Sequence, residues 1–320
     1  MLYLLIGLLV ACQGTVVEGE TAVSPTEEPA PTPMPEPTSE PHAPFRIIAY
    51  VTPNIVLDTI PYDQLTHINY AFLLPNADGT FKRLVNSWKL DQIVRDAHEA
   101  DVKVLISVGG WGWDAEFEAM AANTTTRAAF VENLSEVVAK HKLDGADVDW
   151  EYPKAGESAD NYLALMEELR EVMPDKLLTT AVVSHGANGD GVPFETFALF
   201  DFVNVMTYDG PDHGSMAQFN LGLDYWRERG LPPEKTVMGI PFYARPSEAH
   251  FRKIVDANPN AAQSDTTDWQ GSTIHYNGIP TVQEKTRLAQ EQAGGIMFWT
   301  LDYDALGDAS LVKAINTAIE

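Results

Sequence analysis

From Phe45 onward, short apolar runs alternate with amphipathic stretches along the chain. Apolar runs bounded by turn residues predict strands at Arg46–Val51, His67–Leu74, Lys103–Gly109, Asp144–Glu151, Leu178–Ser184, Phe202–Tyr208, Thr236–Phe242 and Gly295–Leu301. Helical periodicity predicts helices at Lys89–Ala100, Thr125–Lys140, Ala159–Val172, Leu221–Arg229, Thr281–Gln292 and Ser310–Ile319. Strand and helix in turn point to βα units on a parallel sheet. Eight strands over the 276 residues 45–320 match the size of a (β/α)8 TIM barrel, an α/β fold. A doubly wound open sheet is the alternative. It would usually carry a glycine-rich phosphate turn after the first strand, and Thr52-Pro53-Asn54 is not one. The segment between the seventh and eighth strands, Pro246–Ala293, is a short insertion of 48 residues. It predicts one hairpin, with Asn277-Gly278 as its turn signal, and one helix.

The first 44 residues have a different pattern. Residues 2–11 are continuously apolar, too few to span a bilayer as a helix, and they fit the apolar core of a signal peptide. They end in Leu9-Val10-Ala11-Cys12, which resembles the bacterial lipobox, where cleavage precedes a lipid-carrying cysteine. No Lys or Arg precedes the run, a departure from the usual signal; a plain secretory signal is the alternative. From Val16 to Pro44 there are eight Pro and six Glu and no Lys or Arg, a composition that cannot bury a core. The expected organisation is a signal over 1–12, a stalk over 13–44 and a barrel over 45–320. The expected location is the cell surface or the outer face of a membrane, through lipidated Cys12, or otherwise the exterior as a secreted protein.

Apolar residues make up 45% of the chain, enough for one large core. Acids outnumber bases 46 to 21, and the net charge of −25 argues against nucleic acid or anionic lipid as partners. Cys12 is the one cysteine, so no intrachain disulfide forms. The eight His are scattered without metal-site spacing, and no phosphate-binding or dinucleotide motif is present. No metal or cofactor is expected, and the protein is expected to act as a monomer.

The fourth strand changes the picture. Asp147, Asp149 and Glu151 alternate with Val148 and Trp150, so the three acids share one face, about 6.6–6.8 Å apart along the strand. Like charges so placed raise one another's pKa, which suits one of them to general-acid work. In a barrel, active residues sit where strands end at the C-terminal rim. Aromatic residues gather at those ends: Tyr50, Phe72, Trp111, Tyr152, Tyr208, Tyr243 and Trp299. Rings that cover the apolar faces of sugars, beside acids that address their oxygens, point to a carbohydrate ligand.

These residues resemble family 18 glycoside hydrolases, the chitinase family. The signature D-x-x-D-x-D-x-E is matched by Asp144, Asp147, Asp149 and Glu151. Supporting matches are the Ser107 to Gly110 S-x-G-G, the Met206 to Asp209 M-x-Y-D, Tyr70-Ala71-Phe72 and Trp299, which together cover nearly all of 45–320. Ala146 departs from the pattern, which usually has a larger aliphatic residue there, and it should face the helices. The resemblance implies a (β/α)8 barrel and substrate-assisted catalysis with retention. It implies Glu151 as general acid, then base. Asp149 would orient the substrate's acetamide N–H and Tyr208 its oxygen, while Asp147 shares a proton with Asp149. Tyr50 and Ser107 would contact Asp147, and Trp299 would floor the cleaved sugar. Phe72, Gly110, Trp111, Tyr152, Met206, Asp209, Tyr243 and Arg245 would line the cleft. It further implies cis peptides at Ala71–Phe72, Glu151–Tyr152 and Trp299–Thr300.

The expected activity is endo-acting hydrolysis of β-1,4-linked N-acetylglucosamine polymers, with that polysaccharide as partner. An endo-β-N-acetylglucosaminidase or a peptidoglycan hydrolase of the same family, and a chitin-binding lectin without catalysis, are the alternatives. The short insertion predicts a cleft more open than in processive relatives.

Overall fold

A computed structural model describes residues 44–319. Eight parallel strands close into a barrel: β1 (Arg46–Val51), β2 (His67–Leu73), β3 (Lys103–Gly109), β4 (Gly145–Asp149), β5 (Leu177–Val183), β6 (Phe202–Met206), β7 (Thr236–Pro241) and β10 (Gly295–Trp299). β10 pairs with both β7 and β1, which closes the ring and excludes the open doubly wound sheet. A separate antiparallel hairpin, β8 (Thr266–Trp269) and β9 (Ser272–His275), lies in the insertion. The helices are α1 (Ser87–Glu99), α2 (Asp114–Ala121), α3 (Thr124–Lys140), α4 (Glu157–Val172), α5 (Met216–Glu228), α6 (Phe251–Ala257), α7 (Ile279–Gln292) and α8 (Leu311–Ile319).

Strand alternation sorts the core into two layers. The larger lies between strands and helices and takes Ala146, Val148 and Trp150 from β4 and its extension. Ala146 therefore faces the helices, as expected, and is fully buried. The smaller fills the barrel with Ile48, Tyr50, Ala71, Ala181, Phe202, Met206, Val237 and Met297. Phe72, Tyr152, Tyr208 and Trp299 pack on top of that inner plug, so the rim is a continuation of the core.

Several boundaries differ from the periodicity. The β4 ladder stops at Asp149, its last pairing being with Gly109, and Trp150 and Glu151 lie beyond it. α2 and α6 were absent from the pattern, being only eight and seven residues long. The hairpin turns at Gln270-Gly271, both left-handed with φ of 54° and 83°, and not at Asn277-Gly278. Asn277 is buried with its amide spent on hydrogen bonds, and Gly278 instead precedes α7 as its N-cap. Residues 1–43, with the expected signal, Cys12 and nearly all of the stalk, lie outside the described residues.

Candidate active site

The acids of β4 are stacked in depth. Asp147 is fully buried and receives four hydrogen bonds. Tyr50 and Ser107 donate to its Oδ2, each at 2.8 Å, which are the contacts expected of them. Thr179 at 2.6 Å and the Asn204 amide at 3.1 Å donate to Oδ1. Asn204 also donates to the Tyr50 hydroxyl at 3.1 Å. Thr179 and Asn204 were missed in the sequence, although a polar residue inside an apolar strand was their signal. Burial pushes the Asp147 carboxyl up, and the four hydrogen bonds oppose the rise.

Asp149, one layer higher, is only 4% exposed, and its Oδ1 has no hydrogen-bond partner. Burial, then the charges of Glu151 and Asp147, push its carboxyl well above the ordinary range. Glu151 stands at the rim. Burial pushes its pKa up to about 7, hydrogen bonding to Tyr152 opposes, and the charge of Asp209 adds to the rise. The site thus contains one carboxyl saturated with donors, one with a free oxygen, and one that keeps its proton near neutrality.

Aromatic rings frame these acids. Trp299 stacks on Phe72 at 5.3 Å and 18°, and tilts against Tyr50 at 5.7 Å. Gly110 makes that stack possible: its φ is +85°, and a Cβ there would fall 2.7 Å from the Phe72 ring. Tyr208 meets Tyr243 edge to face at 6.2 Å. Burial and neighbouring Tyr243, Asp149 and Glu151 keep the Tyr208 phenol protonated. Arg245 grips Asp209 Oδ1 through Nε and Nη2, both at 2.7 Å, and Arg245 also pairs with Glu248.

A cleft of about 510 Å³ brings together Tyr50, Phe72, Trp111, Asp149, Glu151, Tyr152, Met206, Tyr208, Asp209, Tyr243, Arg245 and Trp299. Trp111 stands 79% exposed at its edge. Asp147 and Ser107 lie beneath the cleft and Gly110 behind Phe72, so these three shape it without lining it. Glu248 and Tyr303 line it as well and were not anticipated. The peptides Ala71–Phe72, Glu151–Tyr152 and Trp299–Thr300 are cis, as expected, and Arg245–Pro246 is cis too.

A parallel barrel with carboxyls and aromatic rings converging on its C-terminal rim defines the class: a carbohydrate-directed (β/α)8 protein. The family model for glycosyl hydrolases family 18 matches residues 46–304, and the chain belongs to that family. A probable endochitinase of Caenorhabditis elegans is 32% identical over 317 residues, which cover 75% of this chain and 51% of that protein. The chain spans about half the length, or less, of the first curated relatives it matches. Among solved structures, the chitinase ChiB of Flavobacterium johnsoniae superposes with a TM-score of 0.75 at 29% identity, covering 86% of this chain and 94% of that one. A chitinase of Bacteroides thetaiotaomicron gives 0.77 at 26% identity, covering 86% and 96%.

Proposed function

We propose that this protein is a retaining, endo-acting hydrolase of β-1,4-linked N-acetylglucosamine polymers that uses the substrate's own acetamide as nucleophile. The observation that carries the reading is the pairing of Glu151, an acid protonated up to about pH 7, with Asp149, a buried carboxyl whose Oδ1 has no partner inside the protein. Glu151 gives its proton to the glycosidic oxygen as the bond breaks. A protein nucleophile would have to be an ionised carboxylate with access to the sugar. Asp147 is sealed beneath the cleft, and the proton affinity of Asp149 is raised, so neither suits that role.

Asp149 instead accepts the acetamide N–H on its free oxygen; sharing a proton with Asp147 requires Asp147 to release one of its four donors. The Tyr208 hydroxyl bonds the acetamide oxygen and aligns it with the anomeric carbon. The resulting cyclic intermediate keeps its charge among these groups until Glu151, now a base, activates water. Trp299 forms the floor under the reacting sugar, with Phe72 stacked behind it. The insertion carries a hairpin of two four-residue strands, joined through His275 to Arg245 of the cleft, and a seven-residue helix. So small a wall suits an open cleft that cuts within chains.

The test is Glu151→Gln on a chromogenic chitobioside, with product profiles from chitin oligomers, a high-mannose glycopeptide and peptidoglycan run in parallel. Loss of rate by about 10²–10⁴-fold is expected. The wild type should release mixed oligomers from chitin, and sugars without a 2-acetamido group should stay uncut. Activity that survives the substitution would refute the mechanism. Cleavage of the glycopeptide or peptidoglycan in preference to chitin would move the substrate to the alternative enzymes. Binding without cleavage by the wild type would make the protein a lectin.

A further inference from the structure

One buried lysine plays no part in the reaction above. Lys285 of α7 is fully buried. Its Nζ donates to the Gly214 carbonyl at 2.6 Å and to Asn277 Oδ1 at 2.7 Å, and lies 5.3 Å from the centre of the Phe219 ring. Burial pushes this ammonium down to about 7, and the charge of Asp265 opposes the fall. A lysine sealed from water and bonded to carbonyl oxygens is expensive, and an apolar side chain would fill the space at lower cost.

What these donors hold runs to the rim. The Gly214 carbonyl also accepts from Asn277 Nδ2 at 2.8 Å. Gly214 has φ +64°, and a Cβ there would sit 2.8 Å from Pro241 Cγ and 3.2 Å from Asn277 Nδ2. Its own N–H donates to Gln218 Oε1 at 2.9 Å. Gln218 Nε2 in turn donates to the carbonyls of Tyr208, at 3.1 Å, and Asp209, at 2.9 Å. His213, next to Gly214, accepts the Asp209 N–H on Nδ1 and donates from Nε2 to the Tyr243 carbonyl, each at 3.0 Å. A continuous set of hydrogen bonds therefore links α7 to the backbone of Tyr208 and Asp209.

We propose that Lys285 and Asn277 are positioning residues that clasp Gly214 and thereby fix the turn presenting Tyr208 and Asp209 to the substrate. The proposal rests on the hydrolase reading above for its kinetic consequence, and on geometry alone for the clasp. The segment between β7 and β10 then does more than wall the cleft: through Asn277 it anchors the turn after β6.

Lys285→Met keeps most of the volume and removes the donors. On a chromogenic chitobioside, kcat is expected to fall about tenfold or more with KM within about twofold, because a small misplacement of an aligning group is felt in the transition state. The unfolding midpoint should stay within about 5 °C of the wild type, and amide exchange should quicken in peptides spanning residues 207–214. Asn277→Ala should act in the same direction and supplies the reading if Lys285→Met does not fold. The proposal is overturned if kcat stays within about twofold of the wild type, if exchange over residues 207–214 is unchanged, or if lost activity only follows lost folded protein. Should the wild type itself prove inactive, the hydrolase reading falls by itself, and the exchange measurement still decides the clasp.

Discussion

Under the proposed mechanism Glu151 protonates a leaving oxygen only while it holds a proton, and its burial keeps that proton to about pH 7. The rate then acquires a basic limb: kcat/KM should fall as pH rises through about 7. The same shift has a sign for stability. The folded pKa of about 7 lies above the ordinary 4.5, so between those values the native state binds more protons than the unfolded chain. Through Glu151, stability falls as pH rises from about 4.5 to 7, with no further change from this group above. Asp304, raised by burial to about 6, contributes to the same fall. Burial pushes the His67 imidazole down to about 4, which acts in the opposite direction over the same range, so the test is a difference: the urea midpoint of the wild type minus that of Glu151→Gln should decline as pH rises from about 4.5 to 7. A difference that stays flat or rises over the range, or a basic limb far from 7, would contradict the assignment. Asp147, Asp149 and Glu151 were legible because a period of two sorts a strand's side chains by face. Thr179 and Asn204 were not, because contact with Asp147 depends on register. Asp147 lies opposite both Ser107 of β3 and Thr179 of β5, an alignment that no local pattern encodes.

At the scale of elements, the acids hold their places because the other face of the same segment is firmly packed. Trp150, 1% exposed, stacks on Phe117 of α2 at 5.2 Å and 8°, tilts against Tyr162 of α4 at 5.9 Å, and donates from Nε1 to Asp114 at 3.2 Å. Trp150→Ala should cost about 3–5 kcal/mol, the usual range for emptying a buried aromatic site, read as a lower urea midpoint. Trp150→Phe should cost less, because it keeps a ring against Phe117. Equal losses for the two would show that the Asp114 hydrogen bond, and not packing, is the main contribution. The barrel strands were legible because they carry apolar runs, apart from β4, which shows instead as an alternation of acids with apolar residues. α2 was not, since Phe117, Met120 and Ala121 are its buried residues and one short helix cannot establish a period. The hairpin turn was misplaced for a related reason. Asn-Gly suits a turn with two left-handed residues, but Gln270-Gly271 takes that geometry here, while Asn277 is committed to Gly214 and Lys285.

At the scale of the whole molecule, charge decides how the protein could meet a membrane. Forty-six acids against 21 bases leave a net charge of −25, so the chain as a whole is repelled by anionic headgroups. Basic residues, the usual second signal that holds a singly acylated protein on a membrane, are missing between Val16 and Pro44. Attachment, if Cys12 carries lipid, therefore has to come from the lipid alone, and it should be all or none. Full-length protein made in a bacterial host should sediment with membranes and incorporate a clickable fatty acid. Cys12→Ala should release it into the soluble fraction, unlabelled, with the proposed activity on a chitobioside unchanged per molecule, because the cleft-lining residues among those described all follow Phe45. A wild type that is soluble and unlabelled would favour the plain secretory signal. A Cys12→Ala protein that still sediments would mean that some surface of the chain binds membranes against its net charge, and the electrostatic argument would be wrong.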